Sequence, residues 1–589
     1  MKKIKHIPIA ILTILSICFP YACSKSFLSR PALGSLSEET LANQKGIDAL
    51  LVGAYSALDG QNVGGGTWES SPDNWIYGSV AGGDAHKGSF AGDQPAIDPI
   101  VRFISDPSNG FFNAKYRACY EGVARANAVL KTIAKTENLD PAFSDNAQGQ
   151  ARFLRGHYYF ELKKMFNKVP WIDETSTDFK APNTEDIWPK IEDDFKFAME
   201  KTNETQPNAG QANKWAAAAY LAKTYMFQDK YGDAKPIFDQ IISQGKTSKG
   251  ETYGLTAKFE DNFDAATKNN KESVFAVQYT ANDGTGGIAN ANAGDMLNFP
   301  YGDSPFGCCG FYQPTQDLVN AFRTDPDGLP YLDNYNSVPV KNDQGIASSQ
   351  PFTPYAGTLD PRLDWTAGRR GLPYHDWGLH PGQKWIRDQT YAGPYAPKKH
   401  IYWQATQDEY SDRNSWAPGS AINYVLIRFS DVLLMAAEAE AEVGSLDKAE
   451  EYVNMVRARA ANPQGWLYKY IDDADPLAGF SNEPAANYEI DTYPTGTFTT
   501  KGKDYAVKAI RFERRLELGM EGHRFFDLVR WGNAKEVLDA YFQYEGTVTS
   551  DIQGATFKTG KNEYYPIPQA QIDLSFKDGT PTLTQNSGY

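Results

Sequence analysis

Two stretches of the chain carry small and large apolar residues in the alternation that packed pairs of helices require. The first is NKWAAAAYLAKTYMFQDKYGDAKPIFDQII, residues 213–242, and the second is DVLLMAAEAEAEVGSLDKAEEYVNMV, residues 431–456. Small residues where two antiparallel helices touch, with large ones between them, are typical of the tetratricopeptide repeat. The positions that match this spacing are Leu221, Ala222, Tyr225, Ala234 and Phe238 in the first stretch and Leu433, Ala436, Ala437, Ala449 and Val453 in the second. The pattern predicts helical hairpins that stack on one another.

The helical pattern covers most of the chain but stops in the middle. A helical scaffold is predicted over about residues 40–270 and 420–589, and one strand-like run lies at 272–280. Between about 284 and 419, and again at 60–89, Pro, Gly, Asn and Asp mix with aromatic residues, a composition typical of long irregular loops. We therefore predict a mainly α protein. It is an α/α superhelical scaffold of tetratricopeptide-like hairpins with long irregular aromatic-rich loops and a few short strands.

The amino-terminal sequence MKKIKHIPIAILTILSICFPYAC has the features of an export signal. Three lysines precede an apolar run, Ile7 to Phe19, which is shorter than the ~20 residues needed to span a bilayer. Cleavage before Cys23 would expose the cysteine that bacterial lipoproteins acylate. We predict a signal peptide over residues 1–22, a lipid anchor at Cys23 and one mature domain over residues 23–589. The alternative is an ordinary secreted protein in which Cys23 has no special role.

Charge and cysteine content exclude some classes of partner. The formal net charge is −15 at pH 7, and an acidic surface argues against binding to nucleic acid or to anionic lipid. Beyond Cys18 and Cys23 the cysteines are Cys119 and the adjacent pair Cys308 and Cys309, which lack the spacing of a zinc site. The adjacent pair could form a vicinal disulfide or remain as two free thiols.

The sequence has no P-loop, G-x-S-x-G or H-E-x-x-H motif for nucleotide binding or catalysis. His375 and His380 lie five residues apart in a loop rich in Gly and Pro, which does not place them on one helical face. We predict neither a metal site nor a cofactor. The two carboxylates of a glycoside hydrolase can come from anywhere in a chain, so that class stays open as an alternative.

One stretch near the carboxyl terminus, RFERRLELGMEGHRFFDLVRWG at residues 511–532, concentrates charge. An apolar stripe at helical spacing runs through Ala509, Phe512, Leu516 and Met520. Arg514 and Glu517 are spaced for an ion pair, and Gly522 is expected to end the helix. Charges around an apolar stripe predict a salt-bridged structural helix. The alternative is an acid/base catalytic site that uses Glu513, Glu517 and Asp527.

The same charged stretch resembles the carboxy-terminal signature of the RagB/SusD family of outer-membrane nutrient-binding lipoproteins. Other stretches of the chain also match the family, and they occur in the expected order: ARFLRGHYYFELKKMFNKVPWI, YVLIRFSDVLLMAAEAEAEVG, VRARA, YYPIPQAQIDL and the final TQNSGY. The resemblance implies a helical fold with tetratricopeptide-like hairpins, a lipid anchor, a position facing the cell exterior and no catalysis. It also implies capture of an oligosaccharide or polysaccharide for a SusC-like TonB-dependent transporter in the outer membrane.

Aromatic residues are concentrated in the two loop regions, where they are candidate ligand contacts. Sugar rings lie on flat aromatic side chains, while their hydroxyl groups bond to polar groups at the edge. Loop position, residue type and the way the family uses these loops predict that the glycan contacts are Trp68, Asp73, Trp75, Cys308, Cys309, Trp365, Arg369 and Tyr395. Two alternatives stay open. The aromatic residues could instead anchor the loops to the scaffold, or the site could bind peptides.

Overall fold

The computed structural model describes residues 38–60, 67–285 and 289–589. The predicted signal peptide and Cys23 lie outside these ranges. Helices account for 44% of the structure and strands for 9%, so the molecule is mainly α, as predicted. Within the described ranges, no helix is both long enough and apolar enough to cross a membrane.

Long helices form a continuous stacked array. In chain order they are α1 Gln44–Ser56, α2 Gly110–Lys135, α3 Pro141–Phe166, α4 Trp188–Lys201, α5 Lys214–Met226, α6 Tyr231–Gln244, α7 Phe429–Val443, α8 Leu446–Ala461, α9 Lys503–Leu518, α10 Arg524–Arg530 and α11 Ala534–Glu545. From α1 to α6 each helix packs on the next one, and α6 then packs on α7. Helix α7 also packs on α8 and α9, so the two helical parts of the chain form one scaffold.

The two predicted hairpins are the pairs α5–α6 and α7–α8. One helix of each pair begins with a polar capping residue: at the start of α5 the Asn213 side chain accepts a hydrogen bond from the Ala216 amide (2.9 Å), and at the start of α8 the Ser445 hydroxyl accepts one from the Lys448 amide (3.3 Å). The ten positions that matched the repeat spacing are all buried. The prediction of stacked helical hairpins is therefore confirmed.

The strands are short and form two-stranded antiparallel sheets. They are β1 Ala85–Gly88, β2 Ser273–Val277, β3 Phe311–Pro314, β4 Ala367–Gly368, β5 Ala396–Pro397, β6 Ser411–Asp412, β7 Gly419–Ser420, β8 Tyr424–Arg428, β9 Tyr468–Tyr470, β10 Phe480–Pro484, β11 Phe576–Lys577 and β12 Thr580–Pro581. Strand β2, the predicted strand-like run, pairs with β8 and ties the two halves of the scaffold together. Strand β1 pairs with β3, with His86 opposite Gln313, and so joins the early loop to the middle of the chain.

The middle of the chain is irregular, as its composition predicts. Between residues 289 and 419 the longest described element is the six-residue helix Gln316–Ala321. The other short α-helices are Glu38–Leu41, Asp98–Val101, Leu363–Thr366, Gln389–Ala392, Gln407–Tyr410, Thr497–Lys501 and Gln569–Leu574.

The charged stretch at residues 511–532 is structural. The carboxylate of Glu517 pairs with the guanidinium groups of Arg362 (2.9 Å), Arg428 and Arg459, and all four side chains are buried. Burial opposes ionisation, but the arginines hold the pKa of Glu517 well below its ordinary value. Glu513 pairs with Arg362 and with Arg457, at 2.7 and 2.9 Å. No carboxylate of this group is left free to act as a catalytic acid or base.

Two details of this stretch differ from prediction. Arg514 does not pair with Glu517; it pairs with Asp431 (2.7 Å) and Asp527 (3.1 Å), because it faces α7 and α10. Helix α9 ends at Leu518, four residues before Gly522. Gly522 instead has φ of +71°, and a Cβ atom there would lie 1.9 Å from the carbonyl oxygen of Asp73. Glycine is required by this close approach of two backbones.

Candidate functional site

Six of the eight predicted ligand residues have buried side chains. They are Asp73, Trp75, Cys309, Trp365, Arg369 and Tyr395. Loop position, residue type and the way the family uses these loops predict exposed ligand contacts, but packing buries these six side chains. Trp68 and Cys308 are half-buried and keep part of their surface open to solvent.

Each buried side chain has a partner that explains its position. Trp75 packs against Phe311 and Tyr312, with ring centroids 6.2 and 5.5 Å apart. Trp365 Nε1 donates a hydrogen bond to the Gly465 carbonyl (2.8 Å), and the Tyr395 hydroxyl donates one to Gln316 Oε1 (2.8 Å). Arg369 donates two hydrogen bonds to Asp364 (2.7 and 2.8 Å). These residues anchor the loops to the scaffold, which was the alternative reading of the aromatic clusters.

Asp73 belongs to a buried polar cluster beneath the surface loops. Its carboxylate accepts a hydrogen bond from the Trp75 amide at 3.1 Å. Burial, together with the nearby Asp295 carboxylate, raises the pKa of Asp73 well above its ordinary value. Asp295 in turn lies 3.2 Å from His400 Nδ1, and although burial opposes protonation, Asp295 raises the pKa of that imidazole. Asp73, Asp295 and His400 come from three different loops, so this buried cluster connects the three loops.

Two tryptophans, the half-buried Trp68 and the exposed Trp416, form an aromatic pair at the surface. The rings of Trp68 and Trp416 lie nearly perpendicular, at 84°, with centroids 6.0 Å apart. The Trp416 side chain is 57% exposed, the largest exposure of any described tryptophan. Two mutually braced indole rings offer flat apolar faces beside polar loop atoms, which is the arrangement that stacks on a sugar ring.

The turn FGCCGF supports this pair. Cys308 and Cys309 form a vicinal disulfide, so of the two possibilities left open the disulfide is the one found. Cys308 packs against the small cluster of Ala293, Met296 and Ala417, and Ala417 directly follows Trp416. The disulfide therefore lies at the base of the Trp416 loop. The remaining described cysteine, Cys119, is buried, and burial raises the pKa of its thiol to about 12.

Trp416 was not among the predicted ligand residues. Five tryptophans fall in the middle region, and most of them have an apolar residue within two positions, such as Ile386 beside Trp385 and Ile401 near Trp403. The signal that separates Trp416 is the run SDRNSWAPGS, which has no apolar residue for five positions before the tryptophan. A large aromatic side chain within such a polar turn has few neighbours to bury it.

The described part of the chain also has two open grooves. One, of about 650 Å³, lies between α1 and β2, and its lining includes Asn290. The other, of about 480 Å³, runs along α2 to the last residues of the chain, with Phe179 exposed. The described lining of this second groove includes none of the predicted ligand residues.

The two loop histidines, His375 and His380, are not arranged as metal ligands in the described structure. His375 Nε2 lies 3.1 Å from the Lys398 carbonyl, and burial lowers the pKa of both His375 and His380 to about 3. Among the residues that the structure describes, no group of three or more histidine, cysteine or carboxylate side chains is placed to hold a metal ion.

These features define a helical-repeat protein of the tetratricopeptide-like class with loop-borne aromatic residues on its surface. The sequence model of the SusD family matches residues 271–589. A second model, described as "Starch-binding associating with outer membrane", matches residues 35–226. The chain belongs to the SusD family, whose members are outer-membrane-associated binding proteins, and the predicted RagB/SusD resemblance is confirmed.

Individual relatives are distant but extend over nearly the whole chain. SusD-like protein P25 of Formosa agariphila is 23% identical to this chain, and the alignment covers 100% of both chains. A solved laminarin-binding SusD-like protein superimposes with a TM-score of 0.63 at 22% identity, covering 93% of this chain and 100% of its own. A surface glycan-binding protein A from Bacteroides thetaiotaomicron, solved with laminarihexaose, gives a TM-score of 0.62 at 18% identity and covers 92% and 99% of the two chains. These structures share the fold.

Proposed function

We propose that this protein is a cell-surface glycan-binding lipoprotein of the outer membrane, and that Trp68 and Trp416 form its main sugar-stacking platform. The observation that carries the proposal is the exposed, mutually braced pair of indole rings over the disulfide turn. The laminarin and laminarihexaose ligands of two relatives with the same fold support a glycan as the ligand. Membership of a family of binding proteins, and the pairing of the carboxylates at residues 511–532 with arginines, support capture without catalysis.

We also infer that the captured glycan passes to a SusC-like TonB-dependent transporter. The support for this partner is family membership and the description of association with the outer membrane. The lipid anchor at Cys23 supplies the attachment, because a diacylglyceryl group together with an acylated amino terminus gives the two or more chains that stable anchoring needs. The exterior face is the side on which a polysaccharide too large for passive entry would be met.

Substitution of the platform is expected to abolish most glycan affinity. Each of Trp68→Ala and Trp416→Ala should weaken binding about tenfold or more, because each removes a flat face and leaves the other ring unbraced. Isothermal calorimetry against a panel of plant, fungal and bacterial polysaccharides, with reducing ends counted in the same mixtures, makes the measurement. Phe179→Ala is the matched control, since Phe179 is an exposed aromatic residue in the separate groove.

Three outcomes would contradict this reading of the platform. Unchanged affinity in both tryptophan variants would remove the platform from the binding surface. New reducing ends would identify a glycoside hydrolase. Absence of binding to every glycan, together with saturable binding of a peptide library, would establish the peptide-binding alternative.

The anchor is tested by changing its cysteine. We expect the wild-type protein to fractionate with outer membranes, to carry a diacylglyceryl group on Cys23 and to co-purify with a TonB-dependent barrel in mild detergent. Cys23→Ser should release the protein from the membrane and from that complex, because serine cannot form the thioether. Mass spectrometry of the mature amino terminus makes the first measurement. An unmodified terminus on membrane-bound wild-type protein would exclude the anchor.

A further inference from the structure

A second group of aromatic residues lies at the surface around Arg387. The guanidinium group of Arg387 contacts two rings, 4.2 Å from the ring centroid of Phe90 and 4.5 Å from that of Tyr301. Phe90 is 38% exposed, and Tyr301 is half-buried. Two ring contacts of this kind, together with the ion pair to Asp93, restrict the orientation of the guanidinium group.

Only one edge of this guanidinium is used by the protein. Nη1 donates to Asp93 Oδ2 (2.7 Å) and to the Ser89 hydroxyl (2.9 Å). Nε and Nη2 donate to no group among the residues that the structure describes, and the side chain is 28% exposed. The contrast is Arg428, which donates from all three of its nitrogens to buried acceptors. Arg387 therefore presents a fixed and unoccupied pair of donors to solvent.

Such a pair of donors has a specific chemical complement. The Nε and Nη2 hydrogens of arginine point in parallel, and two oxygen atoms of one carboxylate or sulfate group accept them together. Tyr301 adds a phenol hydroxyl that makes no hydrogen bond within the described part of the chain. An aromatic ring beside a fixed bidentate donor suits a sugar that carries an acidic group, since the ring takes the C–H face and the arginine takes the anion.

The cluster borders the same turn as the tryptophan platform. A Cβ atom on Gly310 would lie 3.0 Å from Tyr301 Cβ and 3.8 Å from Arg387 Cβ, so this end of the FGCCGF turn contacts the arginine cluster. Two residues earlier in the turn, Cys308 packs beside Ala417, which follows Trp416 in the chain. A polysaccharide lying across the turn would meet both surfaces.

We propose that Phe90, Tyr301 and Arg387 form a subsite for an acidic sugar residue, in which the free edge of Arg387 binds the carboxylate of a uronic acid or the sulfate of a sulfated sugar. The inference rests on the proposed glycan-binding function and adds the class of glycan: an anionic polysaccharide. Asp93 neutralises the other edge of Arg387, and the protein is acidic overall. The subsite is therefore selective for one oriented anion and does not attract polyanions in general.

The test compares acidic glycans with their neutral counterparts. Polygalacturonate is paired with fully methyl-esterified pectin, and carrageenan with chemically desulfated carrageenan, so the two pairs distinguish a carboxylate from a sulfate. We expect the acidic member of at least one pair to bind about tenfold more tightly, and this preference to fall with added salt. In Arg387→Gln the ratio of the two affinities should fall to about one. In Arg387→Lys part of the ratio should remain, because lysine keeps the charge but loses the paired donors.

Two further variants separate recognition from a structural role. Asp93→Asn should strengthen binding of the acidic member a few-fold, because it removes a competing carboxylate; a merely structural ion pair would only be weakened by this change. Arg125→Gln is the matched control, since Arg125 is also a partly exposed arginine that pairs with a carboxylate, Glu121 at 3.0 Å. It should leave every affinity unchanged.

The outcomes separate this subsite from the tryptophan platform. Equal affinity for both members of both pairs, or an unchanged ratio in Arg387→Gln, would overturn the subsite and leave the platform intact. If the wild-type protein binds none of the polymers, galacturonate and galactose 6-sulfate are titrated at millimolar concentration while the Arg387 Nε–H resonance is followed. A shift of that resonance by the acidic sugars but not by galactose supports the subsite even if the platform fails, and its absence overturns the subsite.

Discussion

Glu517→Gln is expected to lower the free energy of unfolding by about 3–5 kcal/mol, the usual cost of breaking a buried ion pair by removing one partner. Arg362, Arg428 and Arg459 all converge on this one carboxylate, and each is almost completely buried. A neutral amide leaves them with less counter-charge in a region that water does not reach. Urea denaturation followed by tryptophan fluorescence measures the loss.

The control for this variant is a glutamate in a similar local setting. Glu451 also lies in a long helix, α8, and pairs with Lys448 at 2.9 Å, but both side chains are exposed. Glu451→Gln should cost less than about 1 kcal/mol, because exposed ion pairs are screened by water and salt. If Glu517→Gln unfolds at the same urea concentration as Glu451→Gln, the charged network is not a main support of the fold.

Gly78→Ala is expected to destabilise the protein by about 3 kcal/mol through a clash between two backbones. A Cβ atom on Gly78 would lie 1.8 Å from the carbonyl oxygen of Gly522. Neither segment can move easily, because the Gly522 amide also donates to the Ser79 hydroxyl (2.9 Å). The strain should reach the Trp68 loop, which precedes Gly78 in the chain. We therefore expect glycan affinity to fall along with the urea midpoint.

Gly53→Ala gives the opposite expectation from the same chemical change. Gly53 lies inside α1, and a Cβ atom there would meet no atom within 4 Å. Alanine in a helix interior is favoured over glycine by about 0.5–1 kcal/mol, so this variant should be slightly more stable than the wild type. Equal effects of the two substitutions would show that the contact between Gly78 and Gly522 does not constrain the fold.

The site was much less predictable from sequence than the scaffold. Trp75 and Trp416 both directly follow a run without large apolar residues, SSPDN and SDRNS, yet Trp75 is buried against Phe311 and Tyr312 while Trp416 is open to solvent. The difference arises from strand β3, which pairs with β1 more than 200 residues away in sequence and brings Phe311 and Tyr312 to Trp75. Local composition carries no information about such a partner. Arg387 was missed for the same reason, since Phe90 and Tyr301 reach it from distant loops.

The class of fold and the stacked hairpins could be predicted from the amino-acid sequence, and the family from the resemblance of its motifs. The fold class and the hairpins follow from spacing along one or two helices, because side chains three or four positions apart lie on the same helical face whatever the rest of the chain does. The tertiary structure alone decided which aromatic residues face solvent, where the charges of residues 511–532 find their partners, and that Arg387 keeps a free edge. Burial and ion pairing depend on groups from distant segments, and only the packed chain brings those segments together.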